Sequence, residues 1–194
     1  MSIYLVFNMN KKIVYLTGFM ASGKSTIGPI VANTLGWNFF DLDRLIEEEA
    51  GKSVRMIFEE NGEDYFRELE TETLKKTSGL ENYIIALGGG TVANQTNLEI
   101  IKSSGFLIYL ESSPEETYKR LRFKRDRPAL LFDGDEEPSK IEFIEKINAL
   151  LQKRINYYNQ ADIKINTDNC HVGRTVDKLS FILKKEFYGE NNKG

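Results

Sequence analysis

Five short strand-like runs, the first of them apolar and β-branched, alternate along the chain with stretches of helical spacing. The runs are 13–17, 38–41, 83–87, 106–110 and 162–166. The first, short and apolar, suits a strand of a parallel sheet, buried on both faces. Between them, Ile27, Ile30, Val31 and Leu35 recur on one side of a helix over 24–35, with Gly36 as its stop and Pro29 as a possible kink. Further helices are expected over 44–50, 53–60, 63–77, 95–103, 139–159 and 172–187, with one opened by Pro114. Gly51 and Gly62 mark breaks in this series. The pattern predicts an α/β fold: an open five-stranded parallel sheet with helices on both faces.

Two segments fall outside the alternation. Residues 1–10 (MSIYLVFNMN) read as a peripheral leader or an extra strand, and Met9 is an alternative start. Residues 122–138 are charged and punctuated by Pro128, Gly134 and Pro138, as in a mobile lid. The organisation is then one domain over 11–187, lid included, and a polar tail over 188–194.

Composition narrows the function. The chain has 194 residues, 26 basic and 29 acidic, for a net charge of −3. That balance argues against nucleic acid or an anionic membrane as partner. One cysteine and one histidine exclude a disulfide framework and a multi-His or Cys-rich metal centre. No apolar run approaches the roughly 20 residues that span a bilayer. A cytoplasmic, monomeric protein is expected.

The chemistry is concentrated after the strands, where open parallel sheets bind ligands. Gly18-Phe19-Met20-Ala21-Ser22-Gly23-Lys24-Ser25 matches G-x-x-x-x-G-K-[ST] between a strand and a helix. Its backbone N–H groups and the helix N-terminus suit phosphates. Lys24 is expected at the β/γ-phosphates of a nucleoside triphosphate and Ser25 on Mg²⁺. Asp41 and Asp43 end the second strand. Alternation in an extended chain would send both to one side, Asp41 toward the metal through water and Asp43 toward an acceptor. Capping of the next helix is the plainer role for either acid. Gly88-Gly89-Gly90 pack nothing and cost conformational entropy, so a ligand against the backbone would explain them. Arg120, Arg122, Lys124, Arg125 and Arg127 cluster at the start of the lid segment. Arg67 stands among acids and by itself fits a surface ion pair, as Arg154 fits a solvated side chain. Cys170-His171 has no orienting acid and is not read as a nucleophile and base.

In this order the motifs resemble the shikimate kinase family over about residues 11–187. The matching pieces are GFMASGKST, FFDLDRLIE, IFEENGEDYFRELE, ALGGG, RDRPALL and RINYYNQAD. The resemblance implies transfer of the γ-phosphoryl group of ATP to the 3-hydroxyl of shikimate, a step toward chorismate and the aromatic amino acids. It implies that Ala21, Ser22, Gly23, Lys24, Ser25 and Thr26 hold ATP, with Mg²⁺ at Ser25 and Asp41. It places Arg120 on adenine and Arg127, from the lid, on the phosphates. Asp43, Arg67, Gly89, Gly90 and Arg154 would hold shikimate, and Lys24, Asp43 and Arg127 would carry catalysis. Three departures stand out. Ala21 replaces a frequent glycine, with little effect expected. Ala129 follows the lid proline where leucine is usual. No arginine precedes Arg174 in the loop before the last helix. Another small-molecule kinase of the same architecture is the near alternative, and a nucleotide switch or nucleic-acid-dependent ATPase the distant one.

Overall fold

A computed structural model describes residues 13–122 and 138–189 of the chain. Five strands form one all-parallel sheet: β1 (Ile13–Thr17), β2 (Asn38–Asp41), β3 (Tyr83–Ala86), β4 (Phe106–Glu111) and β5 (Ile163–Asn166). Their spatial order is β2-β3-β1-β4-β5. In register, Val14 lies opposite Ile84 on β3 and opposite Phe106 on β4.

Alternation along the strands divides the core into two layers. Ile13 and Tyr15 of β1, Ile85 of β3 and Leu107 and Tyr109 of β4 face one side. There they meet Leu42 and Ile46 of α2 (Leu42–Ala50) and Ile57, Phe66 and Leu74 of α3 (Val54–Thr77). Leu98 of α4 (Gln95–Ser104) and Tyr158 of α6 (Lys140–Tyr158) complete that layer. Val14, Leu16, Ile84, Ile108 and Leu110 face the other side, against α1 (Lys24–Leu35) and α7 (Val172–Tyr188). The three central strands, β1, β3 and β4, are therefore buried on both faces and carry no polar alternation, whereas edge strand β5 (IKIN) alternates, with Lys164 and Asn166 exposed. A smaller cluster of Phe19, Leu121 and Ile147 ties the loop after β1 to α5 (Pro114–Leu121) and α6.

Several boundaries move for local reasons. The helix expected from 44 begins at Leu42, because the Asp41 side chain accepts the Asp43 N–H and caps it. The stretches expected as 53–60 and 63–77 form one element, α3, broken at Gly62 with φ 86° and ψ 172°. That backbone is open only to glycine, so the predicted break is real although the helix resumes at once. Strand β3 stops one residue early, at Ala86, and β4 runs one further, to Glu111. Pro29 sits inside α1, which continues through it. No helix among the described residues is long and apolar enough to cross a membrane. The leader at 1–10, most of the lid at 122–138 with Arg127, and the tail from 190 lie outside the described residues.

Candidate active site

The loops that follow β1, β2, β3 and β5 converge on one open cleft of about 510 Å³. Its walls include Met20 to Ile27, Asp41 and Asp43, Leu87 to Gly89, Arg120, Thr167 and Cys170. The sheet order explains the convergence. Strand β1 is central, so its loop lies between the carboxyl ends of β3 and β4.

At the centre, Lys24 Nζ donates to the carbonyls of Gly18 (2.7 Å) and Phe19 (3.1 Å). The ammonium is thus held over the loop it would share with phosphate oxygens. Ser25 Oγ donates to Asp41 Oδ2 at 2.8 Å. Sequence alternation placed Asp41 and Asp43 together on a strand; instead only Asp41 is in the strand, and Asp43 lies in the first turn of α2. Helical geometry still leaves both on the cleft. Asp41 also fills the plainer role, as helix cap.

Asp43 Oδ1 is buried with no hydrogen-bond partner among the described residues. Burial, then the charges of Asp41 and Glu70, push its carboxyl up to about 6. The opposing pull of Lys24 and Arg67 is weaker.

The three glycines are pressed against charged side chains. A Cβ built on Gly88 would stand 2.7 Å from Asp43 Oδ1 and 3.1 Å from Glu70 Oε1. One on Gly89 would lie 3.3 Å from an Arg154 guanidinium nitrogen, and one on Gly90 3.0 Å from Arg67. The strand end thereby gathers Asp43, Arg67 and Arg154, which lie far apart in sequence. Gly90, Arg67 and Arg154 stand just beyond the cleft lining, behind Gly88 and Gly89.

The two arginines differ. Arg67 does form the ion pairs expected of a surface residue, with Glu63 (2.9 Å) and Glu70 (3.0 Å), yet Glu70 is fully buried. Glu70 also accepts from Thr91 Oγ1 at 2.5 Å. Arg154 has no carboxylate partner among the described residues; it lies over the Phe19 ring at 5.9 Å. Glu70, Thr91 and Tyr158 were not expected here from sequence. For Tyr158 one signal was present: it follows Arg154 by one helical turn.

At the other end, Arg120 donates to Ala21 O (3.2 Å) and to Thr167 O (2.7 Å) and Oγ1 (3.2 Å). It thus joins the loop after β1 to the loop after β5. Cys170 is half-buried and lines this end of the cleft, while His171 begins α7 with no side-chain cap bond. Among the described residues no three His, Cys, Asp or Glu side chains form a metal cluster.

Comparison with known proteins agrees with this geometry. The shikimate kinase family profile matches residues 20–182. A shikimate kinase of Chlorobaculum parvum is 45% identical over 168 residues, spanning 87% of this chain and 90% of that protein. The Chlorobaculum tepidum enzyme is 46% identical over 168 residues, spanning 87% and 88%. Among solved structures, shikimate kinase from Bacteroides thetaiotaomicron superposes with a TM-score of 0.79 at 34% identity, covering 89% of this chain and 98% of that one. Shikimate kinase from Acinetobacter baumannii in complex with shikimate gives 0.81 at 29% identity, covering 95% and 97%. The fold, the order of the motifs and these matches together mean that the chain belongs to the shikimate kinase family.

Proposed function

We propose that the chain transfers the γ-phosphoryl group of ATP to the 3-hydroxyl of shikimate. The observation that carries this is the strand end after β3. Its glycines bring one carboxylate and two guanidinium groups together beside the phosphate loop. Shikimate offers the complementary chemistry, a carboxylate and three hydroxyls. Arg67 and Arg154 suit the carboxylate, because a guanidinium binds it with two parallel N–H donors. The N–H groups of Gly89 and Gly90 have no acceptor among the described residues and suit the same ligand.

Asp43 accepts the 3-hydroxyl hydrogen bond at its unpartnered Oδ1 and takes the proton as the oxygen attacks phosphorus. Burial supports this role by making the carboxylate a stronger base than a solvated one. The phosphate loop from Ala21 to Thr26 binds the triphosphate, and Lys24 offsets charge on the β/γ-oxygens. Arg127, outside the described residues, is proposed to reach the same oxygens from the lid.

Ser25 and Asp41 would hold Mg²⁺, Asp41 through water. Their contact puts two hard oxygen donors at the end of the phosphate loop, a donor set that fits this ion. When bound, the ion neutralises phosphate charge and orients the β- and γ-groups. Arg120 is proposed to flank the adenine from α5. A monomer in the cytoplasm, with no nucleic acid or membrane partner, completes the reading.

A coupled assay of ADP release with and without shikimate tests it. Release should require shikimate and should not respond to gluconate or nucleoside monophosphates. Release driven by either of those, or by DNA or RNA, overturns the assignment.

A further inference from the structure

Tyr158 lies at the end of α6 and is fully buried. Its ring stacks on Tyr109 of β4, with centroids 4.9 Å apart and planes 22° from parallel. Its hydroxyl donates to the carbonyl of Gly89 at 2.6 Å. The Arg154 side chain, one turn earlier on α6, comes to the same place: a Cβ built on Gly89 would stand 3.3 Å from its Nη1 and 3.8 Å from the phenol oxygen. A phenol that donates to Gly89 can still accept from a guanidinium, which has only donors.

That arrangement gathers three groups at one point, the Arg154 guanidinium, the Tyr158 hydroxyl and the Gly89 carbonyl, the last two joined by a hydrogen bond. On either side of the phenol stands a group that the proposed function uses. On one side the guanidinium is held beside Gly89, where a Cβ would meet it at 3.3 Å. On the other, the peptide plane between Gly89 and Gly90 is fixed by its carbonyl. A trans peptide points its N–H opposite to its C=O, so fixing one aims the other. The neighbouring planes are held by Thr91 N–H to Gly88 O (3.2 Å) and Ala93 N–H to Gly90 O (2.9 Å), and the Tyr158 bond is what holds the plane between them.

We propose that Tyr158 is a positioning residue of the acceptor site, setting the Arg154 guanidinium and the Gly89–Gly90 peptide in the orientation that binds the shikimate carboxylate. The inference rests on the shikimate reading above. It assigns the phenol no contact with substrate. Burial, the largest influence on this phenol, pushes its pKa up to about 12, so the hydroxyl stays protonated and able to donate near neutral pH.

The test is Tyr158→Phe, which keeps the ring on Tyr109 and removes only the hydroxyl. Shikimate Kd and KM should rise roughly three- to tenfold, the net loss of one neutral hydrogen bond. The KM for MgATP should stay within about twofold, because that site is reached through other loops. The melting temperature should move by only a few degrees. In an Arg154→Ala background the same substitution should cost clearly less than it does alone, since one of its two targets is gone. Shikimate affinity equal to wild type, full additivity with Arg154→Ala, or equal weakening for both ligands each overturns the positioning role. Titration of the wild type separates the two claims. A wild type that does not bind shikimate sinks the functional reading itself; one that binds, beside a variant that binds equally well, sinks only the role of Tyr158.

Discussion

Ser25 Oγ donates to Asp41 Oδ2 at 2.8 Å, joining the end of the phosphate loop to the end of a strand two places away in the sheet. The contact crosses the carboxyl end of β3, which lies between β1 and β2. It brings together the two residues to which a magnesium role is assigned. Asp41→Asn keeps an oxygen that can cap α2, so the fold should survive. The Mg²⁺ concentration for half-maximal turnover should rise roughly 10- to 100-fold, as for loss of an outer ligand partner. Magnesium titration of ADP release measures this. An unchanged midpoint removes Asp41 from the metal site.

Ala21, for which the sequence suggested little effect, has φ 58°, in the left-handed region. A side chain there costs roughly 1–2 kcal/mol. Glycine relieves the strain but gives the unfolded chain more freedom, worth about 0.4–1 kcal/mol. Ala21→Gly should therefore stabilise the protein by about 0.5 kcal/mol in urea unfolding. A clear loss of stability would mean that the methyl makes a packing contact that outweighs its strain.

Asp43 gives a pH dependence with a defined sign. Its carboxyl is raised from 3.8 to about 6 in the folded chain. Between those values the native state binds more of this proton than the unfolded state does. Stability from this group therefore falls as pH rises from about 4 to about 6 and is level above. Asp43→Asn removes the titration. Measured without nucleotide or magnesium, the variant should gain stability relative to wild type across that window. A difference independent of pH would show that Asp43 titrates normally.

The parts of the fold that sequence foretold are those set by local rules. Gly36 ends α1 in the left-handed conformation, Gly62 interrupts α3, and Pro114 opens α5. The apolar runs became strands because both faces of the sheet are covered. What escaped depends on distant contacts. Nothing near Glu70 foretells that it is buried against Thr91, which lies 21 residues on. Nothing near Tyr158 foretells its bond to Gly89, which lies 69 residues away. Alternation misjudged Asp43 because a helix began one residue after the strand, a boundary that pattern alone resolves poorly. Arg67 and Arg154 owed their place to family resemblance, since their own surroundings in sequence are those of surface arginines.

The two arginines should separate cleanly when removed. Both are proposed to hold the shikimate carboxylate, and each loss of a charge-assisted contact should weaken shikimate by about 1.5–3 kcal/mol while sparing ATP. Their effects on stability should differ. Arg67 pairs with Glu70, whose side chain is 1% exposed. Among the described residues, Arg67→Ala leaves that carboxylate with Thr91 as its remaining hydrogen-bond donor. The cost of an under-satisfied buried charge is about 2 kcal/mol or more, so this variant should unfold earlier as well as bind less. Arg154 has no carboxylate to abandon among the described residues, and Tyr158 keeps its bond to Gly89 without it. Arg154→Ala should therefore lose shikimate affinity at nearly unchanged stability. Shikimate titration and urea unfolding of both variants decide the matter. If Arg154→Ala is as destabilised as Arg67→Ala, then Arg154 serves the fold, and its place beside Gly89 is structural rather than a substrate contact.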